Sequence, residues 1–537
     1  MKLNLCLILL LLVNCSEKST DPLKASSPTL RTNGTTIVDS SGNEVVLTGV
    51  SFGNEVWSNP LPYTHHTEED FVRVKEMGMN AIRFYMNYKT FEDDVSPYQY
   101  KNSGWEWLDL NIARAKKHGI YLILNIHVPQ GGYQSNGDGD RLWLITENQN
   151  RLKALWKEIA NRYANEPIIA GYDLLNEPHP TQAKDQLSTL MQQITDAIRT
   201  VDKNHIISVE RANAVNNKYD NDADLNFYKI NDTNIIYTFH IYSPIEYTHQ
   251  FASWLGWGDG GKYPDESKLV ITGAINWYSA TFNNPVAVTG TTDWIFYEGE
   301  KYKITDSKIS LGKLALVGEK INDKIYFDDL ILKEFDANGA FVRDVVTWQP
   351  STEDTFYFWS QNNSGQAGIE NSIGRTDLFS YSISSTTSDA NISLDRTRFV
   401  PKQGYYYQAS GWMKGVGLSS GARAQVRLDF ETTSDPVLAR NKQALEKEIN
   451  QYVAWGKKNN VPIYLGEYGV ISNCFENNKG GITWVGDMLE ILKANKIHST
   501  YHAYHEDNFG IYPGYGTLPD PSTARLELIN LFKQKLK

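Results

Sequence analysis

The sequence has little cysteine. Only three Cys occur among 537 residues, and two of them, Cys6 and Cys15, lie within the first fifteen positions. Cys474 is the one that remains further along, so a mature chain without Cys15 can form no internal disulfide. A fold that depends on internal disulfides is therefore excluded.

Basic charge is also scarce. The chain has 52 Lys and Arg against 63 Asp and Glu, which gives a formal net charge of −11. Such a chain repels polyanions and has no basic field to gather phosphates, so nucleic acid is excluded as a partner. By contrast, aromatic residues make up 12% of the chain, with 14 Trp and 31 Tyr. That surplus suits the stacking of flat, neutral, polyhydroxylated ligands, although most of these rings are expected to be ordinary core or surface residues.

The apolar run near the start is short. It covers residues 5–13 behind Lys2, too few to span a bilayer and typical of the apolar region of a signal peptide. Leu12-Val13-Asn14-Cys15 resembles a bacterial lipoprotein cleavage box, although Asn14 replaces the usual small residue. We expect a signal peptide over residues 1–15, lipidation of Cys15 and a polar tether over residues 16–35. The expected location is the bacterial cell surface or outer membrane; ordinary cleavage, giving a secreted or periplasmic protein, is the alternative.

From about residue 36, short apolar runs alternate with amphipathic stretches, as in βα units. Six strands are predicted before residue 261 and two after residue 436, at residues 46–50, 80–85, 119–127, 168–176, 205–210, 234–242, 462–467 and 499–505. Eight such units predict an α/β fold, a (β/α)8 TIM barrel over residues 36–261 and 436–537, with a doubly wound open sheet as the alternative.

The βα rhythm stops over residues 262–435, which are rich in Thr, Ser, Gly, Asn and aromatics. This composition predicts an all-β, jelly-roll-like domain inserted between strands six and seven. The runs KIYFDDLIL at 324–332 and GYYYQASGWMKG at 404–415 resemble two signatures of jelly-roll carbohydrate-binding modules. We expect the five Trp of the insert to lie mostly in its core, with one or two at a sugar-binding face.

Polar side chains end several of the predicted barrel strands. Because parallel strands converge at their C-terminal ends, these residues are expected to meet on one face of the barrel. They are Arg83, His127, Asn176, Glu177, His240, Tyr242, Glu467 and Tyr504. Two Glu on separate strands form the pair that retaining glycoside hydrolysis needs, an acid/base and a nucleophile about 5–5.5 Å apart.

Three motifs carry a family resemblance: Asn176-Glu177-Pro178, His240-x-Tyr242 and Gly466-Glu467-Tyr468. Together they resemble glycoside hydrolase family 5, the cellulase and mannanase family of the retaining barrel clan, over about residues 36–249 and 441–537. The resemblance implies that Glu177 is the acid/base and Glu467 the nucleophile. It further implies that Arg83 keeps Glu467 ionised, Asn176 binds the sugar 2-hydroxyl, His127 lines the −1 subsite, and His240 and Tyr242 orient the carboxylates.

The two Glu need different surroundings. Glu177 must carry a proton, so we expect a raised pKa, whereas Glu467 must be an anion. The family usually places a Trp on strand eight as a sugar platform, and here Tyr504, flanked by His502 and His505, is the candidate. A smaller ring stacks less area, so this subsite could favour a different sugar.

Three further features of the sequence concern candidate metal, calcium and sugar sites. His65-His66 has no third ligand at a suitable spacing, so we expect a solvated loop there and no metal site. Residues 130–140 lack the glutamate that ends a calcium-binding loop and are expected to border the cleft. Trp254, Trp257 and Tyr263 are either sugar platforms or core residues.

The sequence thus predicts an enzyme without cofactor or metal, a monomer attached to a membrane only through its lipid. It would hydrolyse a β-linked polysaccharide, with β-1,4-glucan ranked first and β-mannan or β-1,3-glucan as alternatives. The rival hypothesis is a non-catalytic surface lipoprotein that captures glycans through the insert.

Overall fold

The computed structural model of the protein describes residues 29–53, 55–58, 66–135, 137–271, 274–281, 284–351, 354, 356–434 and 437–537. The predicted signal peptide, Cys15 and most of the predicted tether lie outside these residues. Among the helices described, none is both long and apolar enough to span a bilayer.

The chain begins with a hairpin of β1 (Arg31–Asn33) and β2 (Thr36–Val38) and continues as alternating strands and helices. The strands are β3 (Thr48–Phe52), β4 (Ala81–Asn87), β5 (Tyr121–Val128), β6 (Ile169–Asp173), β7 (Ile206–Glu210) and β8 (Ile235–His240). The helices are α1 (Glu68–Glu76), α2 (Asn102–His118), α3 (Asp140–Leu144), α4 (Thr146–Tyr163), α5 (Lys184–Arg199) and α6 (Ile245–Thr248).

An antiparallel region follows, with two clusters of strands and short connections. Its strands are β9 (Asp265–Val270), β10 (Ile275–Ala280), β11 (Val286–Ala287), β12 (Ile295–Glu298), β13 (Tyr302–Lys303), β14 (Leu311–Glu319), β15 (Lys324–Phe335), β16 (Phe341–Trp348), β17 (Tyr357–Ser360), β18 (Gln366–Glu370), β19 (Ser380–Ser384), β20 (Asp389–Phe399), β21 (Tyr406–Val416), β22 (Arg423–Thr433) and β23 (Leu438–Arg440). The chain then returns to βα units, with α7 (Lys442–Asn459), β24 (Ile463–Tyr468), α8 (Gly481–Ala494), β25 (His498–Tyr501) and α9 (Leu526–Leu536).

Eight parallel strands close into a barrel in the order β24-β25-β3-β4-β5-β6-β7-β8. Six of them precede the antiparallel region and two follow it, so the predicted interruption between strands six and seven is confirmed. The (β/α)8 barrel is confirmed with it, and the open sheet is excluded.

The helices around the barrel follow the expected amphipathic pattern. On α5 the buried side chains Leu187, Leu190, Met191, Ile194 and Ile198 recur at three- and four-residue steps and so form one stripe. The helix α2 ends where Gly119 takes a left-handed conformation, with φ 63°, which a residue with a side chain adopts only at a cost.

Inside the barrel the side chains form layers from bottom to top. The bottom layer is apolar: Ala81, Ile123, Ile206, Ile236 and Tyr464, from five strands, cluster with Ile37 and Leu47 of the N-terminal segment. Two residues further along each strand the interior becomes polar, with the buried Arg83, Asn125, Ser208 and Thr238. The next inward positions carry Tyr85, His127, Glu210 and His240 at the C-terminal end of the barrel.

The antiparallel region is a sandwich with its own hydrophobic core. One sheet has the order β10-β22-β14-β20-β17, and the other has the order β12-β21-β15-β19-β18. The two motifs that resemble carbohydrate-binding modules lie on β15 and β21, which pair directly, with Phe327 opposite Met413. β9 and β23 pair with each other where the chain leaves and re-enters the barrel.

The layered barrel makes a stability prediction. Leu47→Ala removes a side chain that is 3% exposed in the bottom layer, and we expect the unfolding free energy of the barrel to fall by about 2–5 kcal/mol. Leu110→Ala on α2, where the side chain is 50% exposed, is the matched control and should change it by no more than about 0.5 kcal/mol. Denaturant unfolding followed by tryptophan fluorescence measures both, and equal effects of the two substitutions would contradict the layer assignment.

Candidate active site

The C-terminal end of the barrel brings together seven of the eight predicted site residues. They are Arg83, His127, Asn176, Glu177, His240, Tyr242 and Glu467, and they come from β4, β5, β8, β24 and the segments just after β6 and β8. Their contacts to one another are described first, and the eighth residue, Tyr504, afterwards.

The carboxylate of Glu467 accepts hydrogen bonds from three side chains. Its Oε1 accepts hydrogen bonds from Arg83 Nη1 at 2.6 Å and from the Tyr85 hydroxyl at 2.8 Å. Its Oε2 accepts one from the Tyr242 hydroxyl at 2.8 Å. Three donors on one buried carboxylate strongly favour its ionised form.

Arg83 is fully buried and connects Glu467 to the layer below. Its Nε donates to Asp173 Oδ2 at 2.8 Å, and its Nη2 donates to Asn176 Oδ1 at 2.9 Å. Asn125 also donates to Asp173 Oδ2, at 3.0 Å. The planar guanidinium, held on three sides, therefore fixes the position of Glu467 and the orientation of the Asn176 amide.

Glu177 faces Glu467 across a short gap. One oxygen of each carboxylate and one ring nitrogen of His240 all lie within 4.8 Å of one another. Oε1 of Glu177 is 2.9 Å from His240 Nδ1. The backbone of Glu177 is in the left-handed region, with φ 41°, which is uncommon for a residue with a side chain. Such a pair can protonate an oxygen on one side of a bond and attack the carbon on the other.

His127 lines the same end of the barrel. Its ring stacks on Tyr85 with centroids 3.9 Å apart, and Nδ1 is 3.1 Å from Asn125 Oδ1. Burial lowers the pKa of His127 well below its ordinary value, so the ring is neutral.

Comparison with known proteins agrees with this geometry. The family model described as Cellulase (glycosyl hydrolase family 5) matches residues 38–293. The matched range includes all six barrel strands before the sandwich, so this part of the chain is similar to that family.

Relatives of this chain include a β-xylosidase of Phanerodontia chrysosporium, 31% identical over 219 residues, which are 34% of this chain and 46% of that protein. Endoglucanase C of Acetivibrio thermocellus is 29% identical over 220 residues, covering 40% of this chain and 62% of that protein. The chain thus spans only about half to three-fifths of the length of these relatives. Among solved structures, endoglucanase Cel5A from Thermotoga maritima aligns with 90% of this chain and 96% of its own, at 16% identity and a TM-score of 0.47.

Glu467 and Glu177 differ in the charges that surround them. Burial alone would raise the pKa of Glu467, but the charges of His240 and Arg83 outweigh it and hold that pKa well below its ordinary value. For Glu177 burial again opposes ionisation, yet the hydrogen bond from His240 lowers its pKa. The expected raised pKa of Glu177 is therefore wrong, and in this pair the proton is held by His240, whose pKa is raised to about 9.

Two residues of the site were missing from the sequence prediction. Tyr85 donates to Glu467, and Glu210 Oε2 accepts the backbone N–H of Glu177 at 3.0 Å. Strand alternation could have found both, because Tyr85 lies two positions after Arg83 and Glu210 ends the predicted fifth strand.

Tyr504 is not a sugar platform, and this prediction is corrected. Its side chain is 1% exposed, its hydroxyl donates to Asp70 Oδ1 at 2.7 Å, and its ring packs 4.7 Å from that of Phe52. The last barrel strand, β25, ends at Tyr501, so Tyr504 lies beyond it and under α1. His502 faces the site instead, with Nδ1 3.1 Å from the Tyr85 hydroxyl and 3.9 Å from Glu467 Oε2.

The structure also gives the positions of the remaining aromatic and histidine residues that the sequence analysis named. Trp254 and Trp257 are 49% and 37% exposed on the segment after α6, whereas Tyr263 is 2% exposed and donates to Asp487, so it is a core residue. His66 is 5% exposed and its Nε2 is 2.7 Å from Asn111 Oδ1, so the expected solvated loop is wrong for it; His65 lies outside the described residues. Within the segment 130–140, Tyr133 stacks near His127 at 5.7 Å, which places it beside the site.

The revised position of Tyr504 can be tested by two substitutions. Tyr504→Leu removes the aromatic ring and its hydrogen bond, so the unfolding free energy should fall by about 2–4 kcal/mol. KM for a soluble β-glucan should change by less than about threefold, because the ring does not face the cleft. Tyr504→Phe, which loses only the hydrogen bond, should cost about 1–2 kcal/mol. A tenfold or larger rise in KM in a folded Tyr504→Leu protein would restore the platform role.

Proposed function

We propose that this protein is a retaining endo-β-glycanase that hydrolyses a β-linked polysaccharide, with β-1,4-glucan as the first candidate. The observation that carries the proposal is the Glu177–Glu467 pair, with carboxylate oxygens within 4.8 Å. That separation fits a retaining enzyme, whose carboxyl groups are about 5–5.5 Å apart, and leaves no room for the water that inversion places between them.

In the first half of the reaction, Glu467 attacks the anomeric carbon of the sugar. A carbon–oxygen bond to Glu467 forms while the glycosidic carbon–oxygen bond breaks, and Glu177 gives its proton to the leaving oxygen. Arg83, Tyr85 and Tyr242 hold Glu467 as an oriented anion before attack. The site is organised before the substrate arrives, which lowers the cost of reaching the transition state.

In the second half, a water replaces the departed sugar chain. Glu177, now a carboxylate, takes a proton from that water, whose oxygen bonds to the anomeric carbon as Glu467 leaves. Two inversions leave the anomeric configuration unchanged. The Asn176 amide, oriented by Arg83 and by Ser135 Oγ at 3.1 Å, is placed to bind the sugar 2-hydroxyl beside the nucleophile.

The choice of substrate rests on the relatives. Several are endoglucanases, which ranks a β-1,4-glucan and endo action first. The Phanerodontia chrysosporium relative is a β-xylosidase, so related barrels act on more than one sugar. β-Mannan and β-1,3-glucan remain the alternatives, and a panel of these polysaccharides with sizing of the first products separates the candidates and distinguishes endo from exo action.

Substitution of each Glu tests the mechanism. Glu467→Gln removes the nucleophile, so kcat on the preferred glycan should fall at least about 1,000-fold. Glu177→Ala should lose about 100- to 10,000-fold on the same glycan, because its leaving group needs a proton. On an aryl glycoside whose leaving group departs without a proton, the same variant should form the glycosyl-enzyme at the wild-type rate.

The control is Glu69→Gln, an exposed carboxylate on α1, which should behave as wild type. Proton NMR of the first-formed product gives the anomer, and an inverted anomer would contradict the retaining mechanism. Binding of glycan without turnover by the wild-type protein would instead favour the rival, a non-catalytic glycan-capture lipoprotein.

We further propose that the sandwich binds the same glycan through one sheet face. On β14, Leu314 and Leu316 point into the core, so Lys313 and Ala315 lie on the outer face. Strand pairing places the exposed side chains Trp277, Tyr357 and Trp359 on that outer face, at its two edges. The edges are four strand spacings apart, about 19 Å, a span suited to several sugar units.

The floor between these aromatic edges is charged but internally paired. Arg427 bonds Asp429 at 2.6 Å, Arg398 bonds Glu431 at 2.7 Å, and Lys313 bonds Asp395 at 2.9 Å. Most of these charges are buried as well as paired, so they do not recruit a charged ligand, and the exposed aromatic rings favour a neutral glycan.

The double variant Trp277→Ala, Trp359→Ala tests this face. Retention of the full chain on insoluble polysaccharide should weaken at least about tenfold, since stacked aromatics carry much of such binding. Turnover of a short soluble substrate should stay at the wild-type value. The control Leu378→Ala changes a side chain that is 63% exposed outside this face, and equal retention of both variants would rule the face out.

We also propose that the protein is exported and anchored by a lipid on Cys15. The cleavage box at residues 12–15 supports this location, and the polar residues after it would separate the barrel from the membrane.

A further inference from the structure

One buried carboxyl of the site has no role in the steps above. Glu210 ends β7, is 3% exposed and lies opposite Thr238 of the neighbouring strand β8, two residues before His240. An ionisable side chain buried this deeply needs compensating partners, so its contacts indicate what it does.

Glu210 contacts both members of the acid/base side of the site. Its Oε2 accepts the backbone N–H of Glu177 at 3.0 Å, beside the left-handed φ of that residue. The same oxygen lies 3.5 Å from His240 Nε2. That nitrogen is buried and has no hydrogen bond to any residue that the structure describes. His240 therefore lies between two carboxylates, with Nδ1 on Glu177 and Nε2 facing Glu210.

Two further charged groups, Glu467 and Arg83, lie near the His240 imidazole. Glu467 Oε2 lies 3.7 Å from His240 Nδ1, and Arg83, whose Nη2 is 3.8 Å from Glu210 Oε2, opposes a second positive charge. Glu210 itself is also faced by Asp173 and Glu177, whose negative charges oppose its ionisation. Of these groups, Glu210 faces the otherwise unbonded nitrogen of His240.

We propose that Glu210 is a positioning residue that acts through His240, keeping the imidazole protonated so that a proton stays within reach of Glu177. The inference rests on the proposed function, because it assigns to Glu177 the role of acid. The proton passes from His240 Nδ1 to Glu177 Oε1 along their hydrogen bond, and from Glu177 to the leaving oxygen. When Glu177 later takes a proton from water, the same path in reverse restores His240.

The protonation of the two groups is consistent with this arrangement. Burial lowers the pKa of His240, but Glu210, Glu467 and Glu177 outweigh it and raise the pKa to about 9. Burial raises the pKa of Glu210 to about 8, against the attraction of His240 and Arg83. Above about pH 8 Glu210 is thus an anion. In that pH range its negative charge stabilises the protonated His240, so His240 loses its proton at a higher pH than it would without Glu210.

The decisive variant is Glu210→Gln. Its amide oxygen can still accept the Glu177 N–H, but the negative charge beside His240 is gone. The alkaline limb of kcat/KM against pH should therefore move about 1–2 pH units toward acid. The acid limb, which reports ionisation of Glu467, should stay in place, and below about pH 7 the two proteins should be alike. Glu210→Asp keeps the charge and should restore most of the alkaline limb.

Two controls keep the result interpretable. Thermal unfolding shows that Glu210→Gln is folded, and Glu69→Gln reports the effect of losing a distant carboxylate. An alkaline limb that coincides with wild type in folded Glu210→Gln, or a uniform loss of kcat without a shift of either limb, would overturn the proposal.

A second measurement separates this inference from the proposed function. NMR titration of the His240 ring nitrogens, assigned with His240→Gln, should give a lower pKa in Glu210→Gln than in wild type. This reading needs no turnover. A protein that hydrolyses no glycan but shows the lowered pKa would refute the proposed function alone, whereas active enzyme with an unchanged His240 pKa would refute the role of Glu210 alone.

Discussion

The buried guanidinium of Arg83 is the interaction on which the site depends. A charge inside the barrel is costly to desolvate, and it is tolerated only because Asp173 and Glu467 neutralise it at 2.8 and 2.6 Å. The guanidinium cannot lose its proton, and of its two carboxylate partners it favours Glu467 as an anion by holding its pKa low. One of them, Asp173, anchors the arginine to the barrel, and the other is presented to the cleft. Removing Arg83 would leave two buried carboxyl groups without their compensating charge, so the position of Glu467 and the stability of the fold both depend on this residue.

The barrel separates stability from chemistry along its axis. The bottom layer consists of aliphatic side chains and Tyr464 and is closed by the N-terminal segment, and the layers above become polar and then charged as each strand advances by two residues. Burying unpaired polar groups is unfavourable, and several members of the middle layer are paired with one another, as Ser208 is with Thr238 and Asn125 with Asp173. The strain at Glu177 and the crowding of carboxylates occur only at the top, where substrate binding can use them.

Much of this arrangement could be predicted from sequence, and the failures have physical causes. Apolar runs that end in polar residues locate the ends of parallel strands, which is why Arg83, Glu177 and Glu467 were found without a structure. Tyr504 was misplaced because an apolar and aromatic run does not reveal where β25 stops, and the contact that buries Tyr504 is with Asp70, 434 positions away. Glu210 also ends a predicted strand but was overlooked because it belongs to no recognised motif, and its distance to His240 is what indicates a role. The raised pKa expected for Glu177 failed because the proton sits on its partner, and pairwise electrostatics of this kind cannot be inferred from one strand end.

The insertion of a whole sandwich between β8 and β24 does not disturb the site, and loop entropy explains why. The cost of closing a loop grows only with the logarithm of its length, so a large insertion between neighbouring strands adds little to the cost of a short one, provided that its ends lie close together. The pairing of β9 with β23 meets that condition, with Val270 opposite Leu438. With β9 and β23 paired in this way, β8 and β24 remain neighbours. The Tyr242 hydroxyl therefore lies 2.8 Å from Glu467 Oε2, although the two residues are 225 positions apart in the sequence. The barrel can therefore carry a second folded unit at this rim while β8, which holds His240, and β24, which holds Glu467, keep their register.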